Sequence, residues 1–212
     1  MGRIVQITTS LATSFEFILA TSLLAVFASA YPDRYRSALW HEGGIRGWNS
    51  SPSYRTYLWA NYKEVPPMPL IWDERSTQYS FCVAVVTMMF WFVRLCIRGQ
   101  TLDVYGSVMS NALYDAILVA LWSYSAVVQS SGDFEDPEHI ALRPWYLERG
   151  CGGARARSRG ACYAAKGSFG LVIFAVLWFG LRCVVTCMYG AYVYGRNSVN
   201  PNDTKSDFDN DI

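Results

Sequence analysis

The sequence predicts an all-α transmembrane fold: a four-helix membrane bundle with a small aromatic-rich cap built from the first long loop. Three observations carry this. Hydrophobic residues make up 52% of the 212-residue chain, against 17% charged. The charges avoid four windows, approximately residues 12–30, 79–97, 104–128 and 167–191. A bilayer core about 30 Å thick needs about 20 apolar residues per helix, at a rise of about 1.5 Å each. Each window is about that long or longer, and a soluble bundle needs no helices so long and so apolar. The chain therefore divides into a membrane domain, residues 1–196, and a polar tail, residues 197–212. From Asn200 to Ile212 that tail is polar and acidic, with Phe208 the one packing residue before its end, so it is expected to be disordered and cytoplasmic. A net charge of +1 leaves no basic footprint for nucleic acid. The expected partners are the lipid bilayer and other membrane proteins, in a larger complex or by self-association.

The first window follows Arg3 and ends in Ala28-Ser29-Ala30, which resembles a signal-peptidase site. The length of its apolar run and the interruption at Glu16 argue for a retained helix rather than a cleaved signal. Thr21, Ala25, Ala28 and Ser29 give it a small-residue stripe suited to close packing in lipid. Gly2 is followed by Gln6 rather than Ser or Thr, so the myristoylation pattern is incomplete.

The loop over residues 31–78 is rich in Tyr and Trp, which order a chain rather than loosen it. Pro32 through Glu42 reads as an extension of the first helix, stopped by Gly43-Gly44. Tyr54–Tyr62 has the aromatic content of a short strand. Pro66, Pro67 and Pro69 then bring extended chain to Trp72. The expected product is a folded cap at the membrane interface, with a partner-binding surface as the functional alternative.

The third window holds Ser107, Asn111 and Asp115, which stack on one helix face. The loop over residues 129–166 opens with Asp133, Glu135, Asp136, Glu138 and His139. Such carboxylates suit calcium, but EF-hand spacing is missing, so the run reads as a solvated face. Pro144-Trp145-Tyr146 looks like an interfacial anchor. Cys151 and Cys162 bracket an Arg/Gly-rich turn, and a disulfide there would close a hairpin in an oxidising compartment; the alternative is two free thiols. Cys82, Cys183 and Cys187 read as small hydrophobic residues, and Cys96 as a candidate for palmitoylation.

Orientation follows from Arg94 and Arg98 beside the short link between the second and third windows. The positive-inside rule places that link, and with it both termini, in the cytoplasm. The two long loops then face the lumen or exterior, at the plasma membrane or a secretory-pathway membrane. Arginines in those loops weigh the other way, but long loops translocate largely regardless of charge. Asn49-Ser50-Ser51 is an N-glycosylation acceptor on the same side. Asn202-Asp203-Thr204 in the tail matches the same pattern.

The ionisable residues inside the windows are Glu16, Arg94, Asp115 and Arg182. On a helical rise Glu16 lies roughly 10 Å and Asp115 about 15 Å into their helices, with Arg182 about 8–12 Å above the inner edge. Arg94 is shallower and able to snorkel. Two charge pairs are expected, Asp115 with Arg182 and Glu16 with Arg94, each offsetting desolvation and fixing which helix faces which. The functional alternative is a small transporter or ion pathway using Asp115. His41 and His139 stand apart from any metal pattern, and no nucleophile elbow, P-loop or redox Cys-x-x-Cys is present, so no metal, cofactor or catalytic residue is expected.

Two stretches carry a resemblance. One is His41-Glu-Gly-Gly-Ile-Arg-Gly-Trp-Asn-Ser50, continuing to Tyr57-Leu-Trp-Ala-Asn-Tyr62 and Pro67-Met-Pro-Leu-Ile-Trp72. The other is Leu113-Tyr-Asp-Ala-Ile-Leu-Val-Ala-Leu-Trp122, continuing to Asp136-Pro137 and Pro144-Trp-Tyr-Leu-Glu-Arg-Gly-Cys151. On these the chain resembles the four-span MARVEL-type membrane proteins, particularly uncharacterised ones of filamentous fungi. It departs from them in its long aromatic first loop, and it lacks the first-loop cysteine pair of claudin-like tetraspans. The resemblance implies both termini in the cytoplasm and a non-enzymatic role organising membrane partners or trafficking. The second reading is an accessory subunit of a larger channel, transporter or synthase.

Overall fold

The structure, a computed structural model, describes the backbone of residues 2–65, 67–98 and 104–199, and the side chains of 10–65, 67–96 and 106–196. Residues 200–212 of the polar tail, with the Asn202 sequon, lie outside the described residues, while 197–199 continue the last helix. In chain order the elements are α1 (Gly2–Ala30), α2 (Arg36–Ile45), α3 (Pro52–Ala60), α4 (Glu74–Arg98), α5 (Val104–Gln129), α6 (Trp145–Glu148), a 3-10 turn (Cys151–Gly153) and α7 (Ala156–Val199). The protein is all-α; the one β-bridge among the described residues joins Asp133 and Ala141.

Helices α1, α4, α5 and α7 are long and apolar enough to cross a membrane, with mean hydropathy between 1.3 and 2.2. At most 28% of any of these apolar windows is buried within the protein, so their outer faces need lipid as solvent. This is an integral membrane protein. The four pack in the cyclic order α1, α4, α5, α7, with α5 against α7 the most extensive contact.

Their shared core is Leu19, Leu23, Phe27, Val83, Leu118, Trp122, Val172 and Phe179. Trp122 is fully buried, and its indole N–H donates to the Thr87 hydroxyl at 3.1 Å. Thr87 in turn donates to the Val83 carbonyl at 2.8 Å. The Trp122 and Thr87 polar atoms of this core therefore have their partners built in, as a medium without water favours.

Helices α4 and α7 start well before the expected residues 79 and 167, because their first turns belong to the cap. That cap has its own core of Leu39, Ile71, Trp72, Trp145, Tyr146 and the Cys151–Cys162 disulfide. Trp145 Nε1 reaches back to the Leu39 carbonyl at 3.0 Å, so the two long loops form one unit. The aromatic cap is present, but three expectations about its local structure are overturned.

The first helix does not extend through Glu42. The chain turns over residues 31–35, where Pro32 supplies no N–H to continue the ladder, and restarts as α2. Gly43-Gly44 does not stop that helix, which runs to Ile45. The glycines are there for room: a Cβ on Gly43 would lie 1.5 Å from Asn49 Oδ1, and one on Gly44 2.8 Å from Ser51 Cα. Tyr54–Tyr62 is not a strand either. Ser51 in extended geometry followed by Pro52 in the first helical turn starts α3.

Candidate functional site

Glu16 on α1, Arg94 on α4, Asp115 on α5 and Arg182 on α7 meet in the middle of the bundle. Both expected pairs form, but the arrangement is a closed ring rather than two couples. Arg94 Nη1 donates to Glu16 Oε1, and Nη2 donates to Asp115 Oδ1 at 2.5 Å. Arg182 Nη1 donates to Glu16 Oε2 at 2.5 Å, while its Nε stands 3.6 Å from Asp115 Oδ2. The hydrogen bonds of Asp115 thus go to Arg94, with Arg182 held at ion-pair distance.

Burial is deep, with Glu16 2% exposed, Arg94 9% and Asp115 0%. The expectation that Arg94 snorkels is corrected: its guanidinium turns inward and bridges both acids. The reason is electrostatic, since two carboxylates in one low-dielectric slab need two cations within reach. Each carboxylate also bridges two helices, so the ring ties α1, α4, α5 and α7 together.

The polar stripe of α5 does not continue the ring. Asn111 Nδ2 donates to the Ser107 carbonyl one turn back at 2.9 Å, satisfying itself locally, and of the three residues Asp115 alone is fully buried. Cys183 Sγ lies 3.7 Å from the Ala112 carbonyl, while Cys82, Cys96 and Cys187 are exposed on the spans.

In the cap, the acidic run is a solvated face only in part: Glu138 is exposed, but Asp133 and Glu135 are buried. Asp133 is 2% exposed and acts as a hub: its Oδ2 accepts from the Ser50 N–H at 3.1 Å, the Ser50 hydroxyl at 2.6 Å and Trp72 Nε1 at 2.8 Å. Its Oδ1 accepts from the Glu135 N–H at 3.2 Å. Glu135 itself is buried against Arg55 at 2.5 Å. Desolvation of Glu135 outweighs that pairing and leaves its carboxyl above the ordinary glutamate range. Asp136 binds His139 at 2.8 Å. Among the described residues no group of three or more His, Cys, Asp or Glu is placed to hold a metal ion.

Sequence reasoning missed this hub, and it missed Glu42. Glu42 on α2 is 3% exposed and sits at the start of α7, its Oε1 accepting from the Arg155 N–H at 3.0 Å and from Arg46 Nε at 2.8 Å. Burial works against its charge, but those donors and the two arginines more than compensate, and its carboxyl ends below the ordinary glutamate value. A carboxylate on the open N–H groups of a helix start is favourable. It fastens the cap to the longest span. The Cys151–Cys162 disulfide does the same from the other side.

The glycosylation acceptor Asn49 is corrected. Its side chain is 1% exposed, with Nδ2 donating to the Ser50 carbonyl at 2.8 Å and the Trp40 carbonyl at 3.3 Å. A glycan has no space on that nitrogen in the folded cap.

Two cavities accompany these groups. One of about 220 Å³ lies under the cap, and an open groove of about 430 Å³ lies on the outer side of α1 and α4 around Ser10, Ser14 and Trp91. Neither is lined by any of the four charged residues. No family model, curated protein or solved structure matches the chain.

Proposed function

We propose that the protein is a non-enzymatic organiser of membrane partners, a four-span scaffold of MARVEL-like type with both termini in the cytoplasm and the cap on the lumenal or exterior side. The observation that carries this reading is the closed ring. Two acids and two arginines from four helices pair with one another, as groups that lock a bundle's registry do.

The orientation draws support from the cap disulfide, which suits an oxidising compartment. The Asn49 acceptor no longer contributes to it. Thr21, Ala25, Ala28 and Ser29 lie on the exposed side of α1, as Gly167 and Gly170 do on α7. Small outward residues let a neighbouring helix approach closely, which supports lateral association. Trp59, Tyr57 and Tyr62, at 76%, 58% and 100% exposed, give the cap an aromatic face for a partner or the bilayer surface.

The test combines purification and flux. Gentle-detergent isolation of tagged protein is expected to return self-assemblies or several weak partners. One stoichiometric large partner would replace the organiser reading with the accessory-subunit reading. Vesicles holding the intact chain are expected to show no proton or ion flux above protein-free vesicles. Flux that disappears in Asp115→Asn would establish the pathway reading instead. Membrane-impermeant labelling of an epitope in the 31–78 loop of intact cells checks the orientation.

A further inference from the structure

The cavity beneath the cap sits where membrane and cap meet. Its walls come from the end of α1 (Val26 to Ala30), the start of α4 (Thr77), the end of α5 (Gln129) and the α7 segment 164–168, with α2 as its roof. The lining is mostly apolar, with one cation, Arg36 of α2. Among the described residues Arg36 has no ion pair, and its one hydrogen bond runs from Nη1 to the Ile71 carbonyl at 2.6 Å.

Two carboxylates, Asp33 and Asp73, act on Arg36 through space without forming an ion pair with it, and Asp33 Oδ1 is itself buried with no hydrogen-bond partner. Asp33 accepts from Ser37, and Asp73 accepts the Arg75 N–H at 3.0 Å. Thr77, another wall residue, is 3% exposed and its hydroxyl has no partner. A buried hydroxyl left so is unusual on a helix, where the carbonyl four residues back normally accepts it.

The cavity also has a mouth. Ser29 and Gly167 are exposed, and a Cβ on Gly167 would meet nothing within 4 Å. The opening therefore lies between α1 and α7, at the level of the bilayer boundary. At about 220 Å³ the space is below the roughly 300–1,000 Å³ of sites that enclose a whole drug-sized ligand. It suits part of a molecule whose remainder stays in lipid.

We propose that this cavity binds an anionic single-chain amphiphile, its head on the Arg36 guanidinium beneath α2 and its acyl chain leaving between α1 and α7. The head is a carboxylate or a phosphate, since a guanidinium fork takes either. This inference rests on the membrane-spanning fold alone and is independent of the organiser reading.

The test uses the full chain in nanodiscs with three photoactivatable probes of one chain length: a fatty acid, a lysophosphatidic acid and the neutral alcohol. At least one anionic probe is expected to crosslink residues 26–30 and 164–168 roughly tenfold more than the alcohol. Whichever anionic probe labels identifies the head. Arg36→Gln is expected to reduce that labelling to the level of the alcohol. Gly167→Leu, placed in open space, is expected to close the mouth with the melting profile unchanged, which decides the matter should Arg36→Gln misfold. Equal labelling by acid and alcohol, labelling spread evenly over the lipid-facing helices, or labelling that survives Gly167→Leu would each overturn the proposal.

Discussion

Asp115 in the bundle and Asp133 in the cap are both withdrawn from solvent, at 0% and 2% exposed, yet they are met by different chemistry: Asp133 by hydrogen bonds on both oxygens, Asp115 by hydrogen bonding on Oδ1 and by charge alone on Oδ2. Asp115 is met by the guanidiniums of Arg94 and Arg182. Asp133 is met by neutral donors, the N–H groups of Ser50 and Glu135, the Ser50 hydroxyl and the Trp72 indole. The contrast follows from what each environment leaves free. Inside a helix every backbone N–H is committed to a carbonyl one turn back, so a carboxylate between membrane helices must be answered by side chains. Irregular cap backbone has N–H groups to spare, and they serve an anion without adding a charge.

The largest effect should come from opening the ring. Arg94→Met leaves Glu16 and Asp115 short of a cation and is expected to cost about 3–5 kcal/mol, read as a lost monodisperse peak and a lowered melting temperature in mild detergent. Replacing Glu16, Arg94, Asp115 and Arg182 together by Met or Leu is expected to restore most of that loss. A quadruple variant no better than Arg94→Met would sink the registry account.

In the cap, Asp133→Ala orphans several buried donors at once, an expected cost of about 3–4 kcal/mol. Its signature is altered Trp72 fluorescence with the span helicity retained in circular dichroism. Removing the disulfide with Cys151→Ser and Cys162→Ser is expected to cost roughly 2–3 kcal/mol, given the short loop it closes. Limited proteolysis should then cut first near residues 149–155.

Glu42→Gln is smaller, about 1–2 kcal/mol, and carries a pH signature. The Glu42 carboxyl titrates below its unfolded value, so its contribution is present above the ordinary glutamate range and is lost as pH falls through the lowered folded value. Glu135 has the opposite sign: with its folded value raised, its contribution is complete below the ordinary range and is lost as pH rises through that value. Acid melts of Glu42→Gln and Glu135→Gln should therefore depart from the parent in opposite directions. The smallest expected effect is none at all: peptide mass spectrometry of protein from a glycosylating host should find Asn49 unmodified.

The same comparison explains what the sequence disclosed. Four spans, the disulfide and the four ring members were legible because a charge in an apolar window has so few ways to be stable. Inside a membrane the solvent does the predicting. The ring's connectivity was not legible, because Arg94 had a snorkelling alternative and its inward turn depends on two carboxylates from other helices. Asp133 and Glu135 were hidden among exposed-looking acids, since Ser50, Arg55 and Trp72 lie far off in the chain. Helix α3 had left a signal in Ser51-Pro52, outweighed there by its aromatic content. Glycine at 43 and 44 looked like a stop because an approaching Asn49 cannot be seen in a linear string.

The ring has a further consequence. Its two guanidiniums and two carboxylates sum to zero charge. A transmembrane potential does about 2.3 kcal/mol of work per elementary charge per 100 mV, and on a neutral group moving as one body it does none. The four ring residues therefore add no voltage bias when they are displaced together across a polarised membrane. The ring itself would confer electrical sensitivity if one arginine parted from the other three residues.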